Sequence, residues 1–427
     1  MCPTADHPLR YELVNELHAR PFPQLPVPSH AVYLAIKEPH DAANRDRTKD
    51  VDHLFALLTR HGAALPLRGV SHYAGPIGKH TLKWESHTEF TTYLAIAPVA
   101  SKRPFDPAEG EIFPANWVET APGKRLTAVS IRVEALPENP EDIAPRLAEW
   151  FVPESLVCAG VLEGAAIIAG DFRIDQAGQM RFAVFVRPGT GPGRVGRIVQ
   201  RICEIETYRA MSMLGLGRAR SLTARLNALD PQLSALVEAM TDDARPAERT
   251  LQELLSVSSE LETLAVQHSF RFGATWAYEA IVNQRVEVLR ESRFNGRQKF
   301  SEFMMRRYDP AMRTVKSAEA RLKALLERAA RAGELLRTRV DVERSAQNQR
   351  VLESMDRRAD QQLRLQNTVE GLSVVAISYY AVSLAGYLAY PAAKALSLSK
   401  ETMTAGLTPV VIFAVWMMVR RIRRKLH

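Results

Sequence analysis

The order of apolar and polar residues divides the chain into three stretches with different periods. Up to Pro192, apolar positions recur mostly every second residue in short runs, the spacing of strands with one buried face. This predicts strands over residues 31–37, 67–73, 81–96, 126–134, 165–174 and 180–186. Asp175-Gln176-Ala177-Gly178 and Gly75-Pro76-Ile77-Gly78 have the composition of hairpin turns, and short helices are expected over 50–61 and 141–151. From Arg197 onward the apolar residues fall at helical spacing among many Arg, Glu and Gln. Asp309-Pro310 reads as an N-cap followed by proline at the first helical position, opening a long helix in which Gly333 is the expected interruption. In the third stretch the polar positions thin out: segments 371–393 and 402–419 carry no charge, and Arg420, Arg421, Arg423, Arg424 and Lys425 follow them.

A helix rises about 1.5 Å per residue and needs roughly 20 apolar residues to cross a hydrocarbon layer of about 30 Å. The two uncharged segments meet that requirement, and the link containing Lys394, Lys400 and Glu401 is too short to hold another domain. The expected fold is therefore an α+β (or α/β) domain over 1–192, an all-α stalk over 193–369, and a two-helix transmembrane hairpin over 370–427. In a hairpin both ends lie on one side of the bilayer, and flanks rich in Lys and Arg favour the cytoplasm. The lipid bilayer is the first expected partner, with the five cations of the tail among the headgroups. Leu336, Val340, Val351 and Met355 keep a heptad-like rhythm, which is consistent with a coiled coil and a homo-oligomer. A helix packed on the protein's own earlier helices would show the same rhythm.

Composition changes this picture little. A chain of 427 residues with 46% hydrophobic content holds two or three domains with a real core. The formal net charge is +8, but five of those charges sit in the tail and leave +3 for the rest, so no nucleic-acid partner is expected. Twenty of the 25 prolines fall at or before Pro192, in keeping with a change from strands to helices there. The N-terminus has no basic region followed by an apolar stretch, so no cleavable signal peptide is expected. Cys2, Cys158 and Cys203 are odd in number and widely spaced, which fits a reducing compartment and offers no metal-binding pair.

Several groups of residues have the composition of chemical sites. Glu85, His87 and Glu89 recur every second position on one expected strand and would share a face, with Trp84 and Phe90 on the other. Carboxylate and imidazole together suit a divalent cation, the one cofactor class indicated; a solvated polar face is the plain alternative. Glu16 and His18 form a candidate acid/base pair near the N-terminus, but residues two apart on a helix do not face each other. Gly191-Pro192-Gly193-Arg194-Val195-Gly196 matches GxGxxG, yet a helix-rich region follows it, and no dinucleotide is expected. Arg201, Glu204, Glu206, Tyr208 and Arg209 form a charged cluster whose threefold spacing allows the local ion pairs Arg201–Glu204 and Glu206–Arg209; an interdomain latch is the second reading. Gln366, Asn367, Thr368 and Glu370 stand at the inner mouth of the first membrane segment, with Ser373 one turn further in. In a ring of subunits Glu370 would form a carboxylate ring, which makes Gln366, Asn367, Glu370 and Ser373 ion-pathway candidates. No spacing points to a Ser-His-Asp or Cys-His arrangement or to a phosphate loop.

Five stretches together resemble an uncharacterised bacterial family of predicted membrane-anchored proteins, a domain of unknown function. They are His7-Pro8-Leu9-Arg10, Glu16-Leu17-His18-Ala19-Arg20-Pro21, Trp84-Glu85-Ser86-His87-Thr88-Glu89-Phe90, Glu204-Ile205-Glu206-Thr207-Tyr208-Arg209 and Arg364-Leu365-Gln366-Asn367-Thr368-Val369-Glu370-Gly371-Leu372-Ser373. The resemblance covers the full length and implies the bacterial inner membrane but transfers no activity. The order of parts is also similar to the CorA-type magnesium transporters, which carry Gly-Met-Asn at the outer end of their first membrane helix. Here that place reads Gly386-Tyr387-Leu388-Ala389-Tyr390-Pro391, so the selectivity element is absent. The expected function is a non-enzymatic, homo-oligomeric binding or scaffold module at the membrane. A cation channel or transporter is the first alternative, and a metal-dependent enzyme using Glu85, His87 and Glu89 is the second.

Overall fold

The computed structural model describes residues 6–11, 13, 14, 22–40, 44–242, 245–395 and 399–426; of 392–395 and 423–426 only the helical backbone is described. The chain packs as two compact units, Met1–Ala239 with Glu253–Ala332, and Met240–Gln252 with Gly333–His427. The sequence boundary at 192–193 marks a change from sheet to helix, and packing gathers both sides of it into the first unit.

The first unit is built on one mixed sheet. Its strands are β1 (Ser29–Lys37), β2 (His72–Ile77), β3 (His80–Ser86), β4 (Phe90–Ala97), β5 (Lys124–Ala135), β6 (Val157–Val161), β7 (Ala166–Ile174), β8 (Met180–Val186) and the short β9 (Ser292–Arg293). They lie in the order β2-β3-β4-β1-β5-β8-β7-β6-β9. Neighbours are antiparallel except β5 and β8, which run parallel. Every residue of β1 is buried, because helices cover both faces of the sheet.

One face packs against α1 (Arg47–Arg60), α2 (Ala115–Glu119) and α3 (Ala144–Trp150). Asp46 caps α1 by accepting from the Thr48 amide, and Val51, Leu54, Leu57 and Leu58, at helical spacing, meet Val32, Leu34, Leu82, Trp84 and Tyr93. Leu147 and Trp150 of α3 cover Ile167, Ala169, Ala183 and Phe185 in the same way. The opposite face takes α4 (Pro192–Ala239), which buries Val195, Ile198, Val199, Ile202 and Ile205. The next helix is α5 (Ala247–Glu287), and α6 (Phe300–Phe303) leads through a π-helical turn at Met304–Tyr308 into α7 (Asp309–Ala395). Asp230 of α4 holds Arg321 and Arg328 of α7, and Trp276 of α5 donates to Glu319.

The structure departs from the sequence reading at several points. The run 81–96 is two strands, because the chain reverses at 87–89, where the His87 amide bonds the Phe90 carbonyl at 2.8 Å. The Arg45 guanidinium fastens that turn, donating to Ser86 Oγ and to the carbonyls of His87, Thr88 and Phe90. The strand expected at 67–73 lies at His72–Ile77, so Gly75 and Pro76 are within it; as the sheet edge, β2 tolerates a proline. Asp175–Gly178 does form a turn, with Gly178 at φ 78°. Asp309 is not an N-cap: its φ of −57° and ψ of −39° are helical. Pro310 lacks the N–H that would bond the carbonyl four residues back, and the π-helical turn stands just before it. Gly333 does not interrupt α7.

In the second unit, Leu336 and Val340 are buried, whereas Val351 and Met355 are exposed, so the expected heptad rhythm is covered only over its first half. Arg339 donates to the Met240 and Asp242 carbonyls, and Arg344 pairs with Glu248. The long helical stretch Phe300–Pro391 and the Lys400–Ile422 part of α8 (Lys400–Leu426) are each long and apolar enough to cross a membrane.

On the α1 face, buried His30 and His80 meet edge to face with ring centres 5.7 Å apart. Burial, then the like charges of His30, Lys79 and His61, pull His80 down to about 4. Since the folded value lies below the unfolded one of about 6.5, the unfolded chain takes up the proton first as pH falls. Stability is then full above pH 6.5 and is lost as pH drops towards about 4, by on the order of 2 kcal/mol after discounting for screening. Thermal melts of the detergent-solubilised chain across this window should show a smaller loss for His80→Gln than for the parent.

Candidate functional site

Side chains of β3 alternate between the two faces of the sheet: Leu82 and Trp84 enter the α1 core, while Lys83 and Glu85 turn towards α4. There they meet Gln200, Glu204 and Tyr208, which at fourfold spacing share one stripe of α4. Between the walls lies a small cavity of about 40 Å³. A second, of about 460 Å³, opens beside it and shares His87, Phe90 and Tyr208.

A chain of alternating partners crosses this cleft. Lys83 Nζ donates to Gln200 Oε1 at 3.0 Å and stands 3.4 Å from the Glu85 carboxylate. Gln200 Nε2 donates to Glu204 Oε1 at 2.7 Å, and Arg285 of α5 takes the other Glu204 oxygen. In the cleft wall Tyr33 and Thr207 hydroxyls lie 2.7 Å apart. Burial pushes both the Tyr33 hydroxyl and the Cys203 thiol well up, so both stay protonated at neutral pH.

The β3–β4 turn closes one end. Glu89, 2% exposed, pairs with Arg271 of α5, accepts from the Tyr278 hydroxyl at 2.9 Å and lies 3.8 Å from Lys37. Tyr278 stacks on Tyr208 at 5.5 Å, Phe90 stands edge-on to both, and His87 stacks on Phe90 at 4.5 Å. Burial and then the Glu89 charge raise the Tyr278 hydroxyl, while burial and then Arg271 lower Lys37. Between Glu204 and Tyr208 but on another side of α4, buried Glu206 accepts twice from Arg209, at 2.9 and 2.8 Å, and once from Thr127 of β5 at 3.2 Å. Burial alone would lower the Arg209 guanidinium, but Glu206 outweighs it and holds it above its usual value.

The structure thus brings together two clusters that the sequence offered separately, Glu85 to Glu89 and Glu204 to Arg209. It also corrects both. Glu85, His87 and Glu89 do not share one strand face, since β3 ends at Ser86; among the described residues no three or more His, Cys, Asp or Glu are grouped to hold a metal. Glu206–Arg209 is a local pair as expected, but Arg201 donates to the Val288 carbonyl at 3.2 Å and Glu204 is engaged by Gln200 and Arg285.

Elsewhere, α4 begins at Pro192, and a Cβ on Gly196 would stand 1.7 Å from the Pro23 carbonyl oxygen, so this glycine allows close packing of two backbones. Glu16 and His18 lie outside the described residues. In the second unit, Gln366 donates to Glu370 at 3.2 Å and Ser373 to the Val369 carbonyl at 2.8 Å; Gln366, Asn367 and Ser373 are exposed on α7 and Glu370 is half-buried. Arg420 lies over Trp416 at 4.9 Å and Arg421 is exposed; the Arg423, Arg424 and Lys425 side chains are outside the described set.

Sequence reasoning missed Lys83, Gln200, Arg271, Tyr278 and Arg285. Lys83 had a signal, standing two residues before Glu85 on the same strand face. Arg271 and Tyr278, seven apart on α5, share a helix stripe, but nothing local ties them to Glu89, 182 residues from Arg271.

The pattern of a family described as "Protein of unknown function (DUF3422)" matches residues 5–426. The chain belongs to the DUF3422 family. No curated protein matches it. Both walls of the cleft therefore lie within the DUF3422 match.

Glu206→Ala leaves Arg209 buried without its carboxylate, a change that costs about 3–5 kcal/mol when one partner of a buried pair is removed. Chemical denaturation should show that loss, with Glu206→Gln intermediate; an alanine variant as stable as the parent would contradict the buried pairing.

Proposed function

We propose that this DUF3422 chain is a membrane-anchored, non-enzymatic binding module, held in the bilayer by two spans and carrying its recognition cleft between β3, β4 and α4. The observation that carries the anchoring is exposure: only 6% of each apolar window on α7 and α8 is buried within the chain. A core helix of equal hydropathy in a water-soluble protein would be mostly covered, so hydrocarbon is the solvent that suits these side chains. The basic end at Arg420 and Arg421 supports a cytoplasmic tail, and a hairpin carries the sheet-bearing unit to the same side, at the inner membrane.

The cleft supports binding over catalysis. Lys83, Glu85, Gln200, Glu204 and Arg285 bond one another in sequence, and the adjoining cavity over His87, Phe90, Tyr208 and Tyr278 has the volume of a small-molecule site. The order of parts matches that of CorA-type transporters, without their Gly-Met-Asn signature. Gln366 donates to Glu370 along a single helix.

Alkaline carbonate washing of membranes from expressing cells tests the anchor. The chain should stay with the membranes, and protease added to inside-out vesicles should remove the sheet-bearing unit while protecting fragments that cover 371–419. Release of the intact chain by carbonate would overturn the anchor, and a body cut only in right-side-out vesicles would overturn the orientation.

A further inference from the structure

The first span has two unlike sides. Along α7, the half-buried or buried positions in this segment are Val374, Ser378, Ala381, Val382, Ala385, Gly386 and Ala389; on α8 they include Leu407, Val411, Val415 and Val419. Both sets recur at steps of three and four, one stripe per helix, as expected for antiparallel neighbours joined by a few residues. The rest of the first span is exposed or nearly so, and its hydroxyl groups are not spread evenly over it.

Between 371 and 393 there are seven hydroxyl-bearing residues, and five of them, Ser373, Tyr380, Ser383, Tyr387 and Tyr390, fall on one heptad seam. The seam continues inward: Gln366, Ser373, Tyr380 and Tyr387 are spaced by seven, as are Val369, Ala376, Ser383 and Tyr390, three residues on. All eight are exposed. A period of 3.5 keeps such a seam facing one neighbouring helix along its whole length.

Hydrocarbon offers these phenols nothing to bond. Tyrosine is common at membrane boundaries, which accounts for Tyr390, but Tyr380 and Ser383 lie within a few residues of the centre of the span, out of reach of either interface. Ser373 and Ser383 use their protons on carbonyls of their own helix, leaving oxygen lone pairs open to a donor. Tyrosine supplies that donor and serine or glutamine accepts it, so the seam is complementary to itself.

We infer that the seam from Gln366 to Tyr390 is a homo-oligomer interface, occupied by the same helix of a second copy of this chain. Tyrosine hydroxyls of one copy bond serine and glutamine oxygens of the other, while small Ala376 and Ser373 let the backbones approach. The α8 helix stays on the opposite side of each copy. This inference rests on the membrane anchoring proposed above.

The test uses the full chain with Cys2→Ser, in native membranes; Cys158 and Cys203 are buried. Single substitutions Ser373→Cys and Ser383→Cys lie on the seam, and Val375→Cys and Leu388→Cys lie off it on exposed positions. On oxidation the seam pair should give disulfide-linked dimer at least about fivefold more than the off-seam pair, because disulfides demand close Cβ approach. Tyr380→Leu with Tyr387→Leu, which keeps the span apolar, should lower the oligomer fraction seen by light scattering in mild detergent. Equal or no cross-linking at the two sets, in a chain that resists carbonate extraction, overturns the seam and leaves the anchor standing. A parent that is monomeric in membranes likewise overturns the seam, and a chain released by carbonate overturns the anchor and the seam together.

Discussion

Covering both faces of the sheet is the constraint from which the rest of the first unit follows. A strand whose two faces are dry has nowhere to put a charge, so each polar side chain on the α4 face must find a partner on a helix. Lys83 finds Gln200, Thr127 finds Glu206, and Glu89 finds Arg271 and Tyr278. The cleft is made from these obligations. Its strand wall sets Lys83, Glu85 and Thr92 beside Phe90 and Leu94, and α4 answers with Gln200, Glu204 and Tyr208 at helical spacing.

Stabilising groups differ in burial from the groups of the proposed recognition cleft. Glu89 and Glu206 are almost fully buried, each held by an arginine and a hydroxyl, and each ties a helix to the sheet. Glu85, Gln200, Glu204 and Tyr208 line a cavity instead, and in the proposed function their bonds would be exchanged for bonds to a ligand. Charge in the first group holds the body together; charge in the second faces a cavity.

Under the proposed anchoring, the helical stretch obeys another solvent. From Arg344 to Val369 the side chains of α7 are exposed and mostly polar, and from Gly371 to Pro391 they are apolar and exposed on all but one side, without a change in secondary structure. An apolar surface on all sides belongs in hydrocarbon, whereas a surface with hydroxyls along one line needs a protein neighbour there. The proposed interface follows from that line alone, since α8 already occupies the other side of the span.

Much of this architecture could be read directly from the chain. Period two placed β1, β5, β7 and β8, helical spacing placed α1 and the long helices, and two uncharged runs marked the membrane-length segments, because local periodicity is fixed by which side chains must avoid water. Sequence also picked out Glu85, His87 and Glu89 and the run from Arg201 to Arg209 as dense in chemistry. It did not join them. The break at 87–89 depends on Arg45, the fate of Glu89 on Arg271 and Tyr278, and the partner of Glu204 on Arg285, all distant along the chain. Period alone decides which face of an element is dry; only the tertiary structure decides which opposite charge waits on the other side, because that pairing is set by how α4 and α5 lie across the sheet.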